Sequence, residues 1–178
     1  MDHPQDTGEL NHPDAQDLLA TQTLTRLAYT GPDGFPRVIP IGFHWTGENI
    51  VVCTVPSSPK VRALAARPHV ALTIDTDQST ASRSLSVRGV ATVEIVDGVP
   101  DEYLAAATKN MDAEQARQFE AQVRSLYKQM ARITIQPRWA RYYDFGTGRL
   151  PGFLLELIQA SQAAQASQAA QANQAAQA

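Results

Sequence analysis

The chain has little cysteine and no strong excess of charge of either sign. Cys53 is its only cysteine, so an intrachain disulfide is excluded and nothing indicates an oxidising compartment. Its 15 basic and 18 acidic residues give a formal net charge of −3, which argues against a nucleic-acid-binding surface. An acidic protein can still hold a local phosphate pocket, so this total does not exclude an anionic ligand.

Long hydrophobic runs and several well-known catalytic motifs are also missing. No apolar stretch reaches the ~20 residues that a membrane span needs, and the N-terminus is polar, so we expect a cytoplasmic protein that does not contact membranes. The sequence has no glycine-rich dinucleotide loop, Walker loop, Cys-x-x-Cys or His-Glu-x-x-His, and its four histidines are scattered, which predicts no metal site. Cys53 follows an apolar run and is expected to be a buried, unreactive thiol.

Three regions differ in composition. Residues 1–12 form a polar lead that we expect to add little to the core, and residues 13–153 form the folded domain. Residues 154–178 form an Ala/Gln-rich tail that ends in three hexapeptides, SQAAQA, SQAAQA and NQAAQA. Alanine and glutamine favour helix, but the tail can bury little apolar surface, so it is helical or disordered and we assign it no function.

Short apolar runs separated by turn residues dominate the domain. Residues 100–130 are different, because their apolar residues have helical spacing and predict two helices with a break near Met111 and Asp112. Residues 77–82 are polar and predict a loop. Many short strands with a few helices predict a mainly β fold, a closed or partly closed β-barrel with flanking helices. The predicted strands are residues 24–29, 37–45, 50–55, 70–74, 85–96, 132–136 and 138–145.

The strongest functional pattern lies in residues 34–75, which read as strand, turn, strand, short basic helix and strand. The helix follows a Pro-Ser-Ser-Pro break and carries Lys60 and Arg62. Free N–H groups and the positive dipole end at a helix start favour a phosphate, and lysine and arginine commonly hold one. These charges are the candidate ligands, with the alternative that they are only solvated. Hydroxyls that could also donate to the ligand, or act merely as cap and turn residues, are Thr54, Ser57 and Ser58.

Four motifs in this order carry a resemblance to a known family. They are Arg37-Val38-Ile39-Pro40 with Phe43 and Trp45, Cys53-Thr54, Ser57-Ser58-Pro59-Lys60-Val61-Arg62, and Arg67-Pro68-His69-Val70-Ala71-Leu72. Together they resemble the FMN-binding split barrels related to pyridoxamine 5'-phosphate oxidase. The resemblance implies a split β-barrel of about six strands and a homodimer with the flavin between the subunits.

The resemblance also implies roles for particular residues. Lys60 matches the lysine that binds the phosphate, and Arg37 matches an arginine that contacts the flavin or its phosphate. Val38, Ile39 and Pro40 would lie along the isoalloxazine ring. Two further segments resemble parts of the dimer crevice: Arg88-Gly89-Val90-Ala91, and residues 138–145 with Trp139 and Arg141.

The implied function is an FMN-dependent oxidoreductase that transfers hydride to or from a small organic substrate. The flavin carries this chemistry, so we name no catalytic side chain. The chain lacks the C-terminal Arg-x-His-type signature of the pyridoxamine phosphate oxidases, which argues against vitamin B6 as substrate.

Three alternatives stay open. The cofactor could be the deazaflavin factor 420, whose acidic tail would need cations such as Arg62, Arg67 and Arg88. The protein could instead be a non-catalytic flavin- or haem-binding sensor or carrier, with His44 or His69 as the haem ligand. A third alternative is an empty barrel that acts through protein contacts made by the tail.

Overall fold

A computed structural model describes residues 6–76 and 82–176, and the side chains of the last helix up to residue 168. The predicted loop at 77–82 lies outside these residues except for Ser82. The strands are β1 Leu24–Thr30, β2 Pro36–Gly42, β3 His44–Trp45, β4 Ile50–Thr54, β5 His69–Asp75, β6 Arg83–Asp97 and β7 Gln129–Asp144. The helices are a 3₁₀ turn at Gly8–Asn11, α1 Pro13–Thr21, α2 Pro59–Ala66, α3 Asp101–Ala107, α4 Ala113–Leu126 and α5 Gly152–Ala176.

The seven strands form one antiparallel sheet in the order β2-β1-β5-β6-β7-β4-β3. Its two edge strands, β2 and β3, are consecutive in the chain and are separated only by Phe43. The sheet therefore curves until its edges meet. The predicted mainly β barrel with flanking helices is confirmed, while the single strand predicted at 37–45 is broken where the chain passes from one edge to the other.

The core fills the inside of this curved sheet because side chains alternate along its strands. In β1, for example, Thr25 and Leu27 are fully buried while Leu24 and Arg26 are exposed. Helix α1 covers one opening with Leu18 and Leu19, which are also fully buried. The largest fully buried side chains include Phe43, Ile50, Leu64, Ile74, Leu85, Ile133 and Ile135.

The long antiparallel pair of strands β6 and β7 contains a β-bulge. Arg88 pairs with Trp139 and Gly89 pairs with Pro137, which leaves Arg138 without a partner in this ladder. A Cβ at position 89 would lie 2.6 Å from the backbone oxygen of Gln136, so glycine is required there. The sequence predicted two strands on either side of Pro137, and the bulge explains why one continuous strand accommodates this proline.

The N-terminal segment contributes to the core, and the prediction that residues 1–12 add little to it is wrong for the described part. Leu10 is only 6% exposed and belongs to the main hydrophobic cluster. The carboxylate of Asp6 pairs with Arg141, and that of Glu9 pairs with Arg149. Composition alone missed this contribution because one leucine among polar residues gives no periodic signal.

Helices α3 and α4 confirm the two predicted helices and the break between them. A capping box starts α4: Asp112 Oδ1 accepts hydrogen bonds of 2.9 Å from the backbone N–H groups of Glu114 and Gln115, and Gln115 Oε1 accepts one from Asp112 N. The first turn of the helix is thus satisfied by side chains.

Removing this cap gives a first prediction. Asp112→Ala should lower the free energy of unfolding by about 1 kcal/mol, because two N–H groups of α4 lose their acceptor. Asp112→Asn keeps an oxygen acceptor and should recover most of the loss. Equilibrium urea unfolding of the three proteins measures both differences, and an equal loss in the two variants would contradict the capping role.

The sequence left the tail as either helical or disordered, and in the structure it is helical and forms part of α5. Its side chains are mostly exposed up to residue 168, with Phe153 at 69% and Leu157 at 65%. Among the described residues, no helix has the length and apolar character needed to cross a membrane.

Candidate cofactor site

A groove of about 270 Å³ runs along the junction of β2 and β4, where the short β3 leaves the sheet edges unpaired with each other. Strand β2 forms one wall, β4 and the start of α2 form the other, and residues of α3, the end of α4 and β7 complete the lining. The lining residues are Ile39, Pro40, Ile41, Cys53, Thr54, Val55, Lys60, Tyr103, Tyr127 and Met130. The groove is lined by apolar and polar groups in similar measure, with one cation in its wall.

Lys60 is that cation, and it is held by hydroxyl groups. Its Nζ donates to Ser58 Oγ at 2.7 Å and to Thr54 Oγ1 at 3.4 Å. Within residues 6–76 and 82–176, no carboxylate forms an ion pair with it. Burial lowers the pKa of the ammonium group, because desolvation disfavours the charged form. A bound anion would offset this cost, so the arrangement suits a phosphate.

The start of α2 reinforces this preference. Pro59 occupies the first helical turn, and Ser58 at the N-cap makes no side-chain bond to the helix backbone. Its hydroxyl oxygen instead accepts a hydrogen bond from Lys60. Pro59 has no N–H group and Val61 N donates to the backbone oxygen of Ser58 at 3.0 Å, so the positive end of the helix dipole, rather than a set of free donors, adds to the preference for an anion.

Aromatic residues line the apolar end of the groove. Tyr103 on α3 and Tyr127 at the end of α4 meet edge to face, with ring centroids 6.3 Å apart. Burial raises the pKa of the Tyr103 hydroxyl, with smaller contributions from Tyr127 and Cys53. The sequence showed Tyr103, Tyr127 and Met130 only as part of a helical apolar face, and nothing in it indicated that this face borders the lysine.

Cys53 is half-buried in the same groove. Burial raises the pKa of its thiol to about 12, and the nearby carboxylate of Glu102 adds to the effect. The thiol is thus neutral at physiological pH and a weak nucleophile. This agrees with the expectation of an unreactive cysteine, although the side chain is less buried than the sequence indicated.

The structure brings together only part of the predicted site. Ile39, Pro40, Thr54 and Lys60 line the groove, and Ser58 contacts Lys60. The others lie apart: Arg37 Nη2 donates to Asp33 Oδ2 at 2.6 Å in the β1–β2 turn, Val38 is 64% exposed on the outer face, and Ser57 and Arg62 are exposed outside the groove lining.

The predicted haem ligands lie elsewhere as well. Neither His44 on β3 nor His69 on β5 lines the groove. Among the described residues, no group of three or more histidine, cysteine or acidic side chains is placed to hold a metal ion.

One antiparallel sheet of seven strands, closed on itself and flanked by helices, is the architecture of a split β-barrel. The sequence model of the pyridoxamine 5'-phosphate oxidase family matches residues 12–143, most of the chain. The chain therefore belongs to the pyridoxamine 5'-phosphate oxidase family. No curated protein matches it.

Solved structures share the fold. The conserved hypothetical protein Rv2991 from Mycobacterium tuberculosis is 21% identical, with 83% of this chain and 94% of that chain covered and a TM-score of 0.62. A protein named F420 reductase is 26% identical over 71% of this chain and 94% of that one, with a TM-score of 0.53. HutZ, the haem storage protein from Vibrio cholerae, is 17% identical over 73% and 92%, with a TM-score of 0.52.

Proposed function

We propose that this protein is an FMN-dependent oxidoreductase that exchanges hydride between bound flavin and a small organic substrate. The observation that carries the proposal is the partly desolvated ammonium group of Lys60 at the start of α2, which has hydroxyl partners and lies in the wall of a groove that is apolar along β2. A flat ring with a phosphate matches that combination, because Ile39, Pro40 and Ile41 offer the ring apolar contacts and Lys60 offers the phosphate a cation. Membership of the pyridoxamine 5'-phosphate oxidase family supports the same ligand.

Several residues in and beside the groove have a specific task in this proposal. Lys60 binds the phosphate, while Ser58 and Thr54 hold its side chain in place. Ile39 and Pro40 form an apolar wall for the ring, and Tyr103 borders the ligand on the side of α3. The flavin supplies the hydride chemistry, and the protein supplies binding and orientation.

Two other cofactors differ in how well the site supports them. A deazaflavin of the factor 420 type is the second candidate, because the solved structure that is 26% identical is named F420 reductase. Haem has less support, although some structures of this fold are named as haem proteins, because no histidine lines the groove in the described residues.

A homodimer and a cytoplasmic location belong to the same proposal. Leu24, Phe35 and Val38 are 56%, 68% and 64% exposed on the β1–β2 hairpin, which includes one wall of the groove. A second copy of the chain would cover these apolar side chains and enclose the ligand. A single unpaired thiol suits the reducing cytoplasm.

The proposal predicts how Lys60 distinguishes two related ligands. Lys60→Gln should weaken FMN binding by about tenfold, because a charge-assisted bond to the phosphate is lost. The same change should leave riboflavin binding nearly unaffected, because riboflavin has no phosphate. Titrations of protein into each ligand, followed by flavin fluorescence, give both dissociation constants, and a parallel titration with the deazaflavin ranks the second candidate.

Lys128→Gln is the matched control, since it removes the same charge from an exposed lysine outside the groove lining. If Lys60→Gln and Lys128→Gln weaken FMN binding equally, the loss comes from the change in net charge and not from a contact between Lys60 and the phosphate. A protein that binds neither FMN nor the deazaflavin would refute the oxidoreductase proposal.

A further inference from the structure

Two arginines contact the ring of one tryptophan on the outer face of the paired strands β6 and β7. The guanidinium carbon of Arg88 lies 4.0 Å from the centroid of the Trp139 ring, and that of Arg141 lies 5.3 Å away. Arg88 is exposed, whereas Trp139 and Arg141 are half-buried. The ring thus supports a cation at the surface of the sheet.

The bulge described above determines this arrangement. Arg88 stands directly opposite Trp139 because the register shifts between Arg88 and Gly89. Gly89 permits the close approach of the strands that the bulge needs. A bulge turns a strand locally and re-aims its side chains, and here it places the guanidinium over the ring.

The charges of the two arginines are not equally balanced. Arg141 Nη2 pairs with Asp6 Oδ2. For Arg88, no carboxylate partner exists within the described ranges 6–76 and 82–176. One face of its guanidinium lies on the tryptophan, so the N–H donors along its edge stay available in a rigid plane. An oxyanion would use these donors and balance the charge of Arg88.

We propose that Arg88, supported on Trp139 and beside Arg141, is a recognition site for an oxyanion, a carboxylate or a phosphate. The site is distinct from the lysine groove. On β7, Ala131 pairs with Thr54 of the groove and Trp139 pairs with Arg88, a separation of about 26 Å at ~3.3 Å per residue. Within one chain, the two sites therefore lie apart.

The chain carries its own reporter for this site. It has two tryptophans, so Trp45→Phe leaves Trp139 as the only source of tryptophan fluorescence. Pyrophosphate and citrate, titrated separately against sodium chloride of equal ionic strength, test phosphate and carboxylate. The fluorescence should change saturably with at least one of them. Adding Arg88→Gln should weaken that response by about tenfold or more, because the charge-assisted bonds are lost.

Arg117→Gln in the same background is the control, because it removes an equal charge from an exposed arginine on α4. If Trp45→Phe fails to fold, the two indole N–H signals in nitrogen-correlated NMR spectra of the unsubstituted chain replace fluorescence. The absence of a saturable response to both anions, or equal responses in the Arg88 and Arg117 variants, would overturn the proposal. Lys60→Gln should leave the anion response unchanged, which separates this result from the fate of the flavin proposal.

Discussion

Phe43→Ala is expected to lower the free energy of unfolding by about 3–5 kcal/mol, the usual range for removing a buried phenylalanine ring. Phe43 is fully buried and belongs to the main hydrophobic cluster. It is also the single residue that joins the two edge strands, so its ring packs where the barrel closes. The cavity left by the substitution would lie at the place where the sheet has no ladder to hold it together.

The ring has a second neighbour that the substitution would affect. Lys109 Nζ lies 4.1 Å from the Phe43 centroid and donates to the backbone oxygens of Leu19 and Gln22, at 3.1 and 2.8 Å. These bonds connect the end of α3 to the end of α1. Loss of the ring removes a cation–π contact and exposes a lysine whose pKa burial lowers.

Equilibrium urea unfolding at one fixed protein concentration measures this loss, since association would change the apparent stability. Phe153→Ala is the matched control, because the same ring is 69% exposed at that position on α5 and its removal should change stability by no more than about 0.5 kcal/mol. If the two substitutions cost the same, Phe43 does not have the closing role assigned to it.

Gly89→Ala is the second large effect, with an expected loss of about 1–3 kcal/mol or more. The added Cβ would lie 2.6 Å from the backbone oxygen of Gln136 and 2.8 Å from Ile135 Cγ2. The first contact involves backbone in the middle of a paired strand, which cannot move without disturbing the ladder. The substitution should also shift the Trp139 fluorescence, because the bulge sets the position of Arg88.

Gly8→Ala provides the control for this prediction. A Cβ at position 8 meets no atom within 4 Å, so the substitution should leave stability unchanged or slightly raised. Urea unfolding of both variants gives the difference. A Gly89→Ala protein as stable as the unsubstituted chain would show that the strands at the bulge can separate without cost.

The sequence predicted the barrel well because its signals are local. Alternating apolar residues and turn residues marked most of the strands, and the composition change at residues 100–130 marked the two helices. The break at Phe43 was missed, since an apolar residue between two strand segments continues the alternating pattern. Only the closure of the sheet, a long-range property, requires the chain to turn there.

The site was predictable in part for the same reason. Lys60, Ser58 and Thr54 lie within seven residues of one another, and a local motif was enough to associate them. Tyr103 and Met130 reach the groove from distant parts of the chain, and no spacing indicates that. Arg37 was assigned from the resemblance alone, while the structure shows it paired with Asp33 in the nearby turn.

The gap between β2 and β4 implies that a ligand in the groove would also stabilise the barrel. Its walls are the two sides of the only junction in the described sheet that lacks a full hydrogen-bonded ladder. A ligand that contacts both Pro40 and Thr54 would bridge that junction as a missing strand does. Binding of a ligand in the groove should therefore slow amide hydrogen exchange in β2 and β3 more than in the paired strands β6 and β7. Such a ligand would stabilise the closed barrel by joining its two edges.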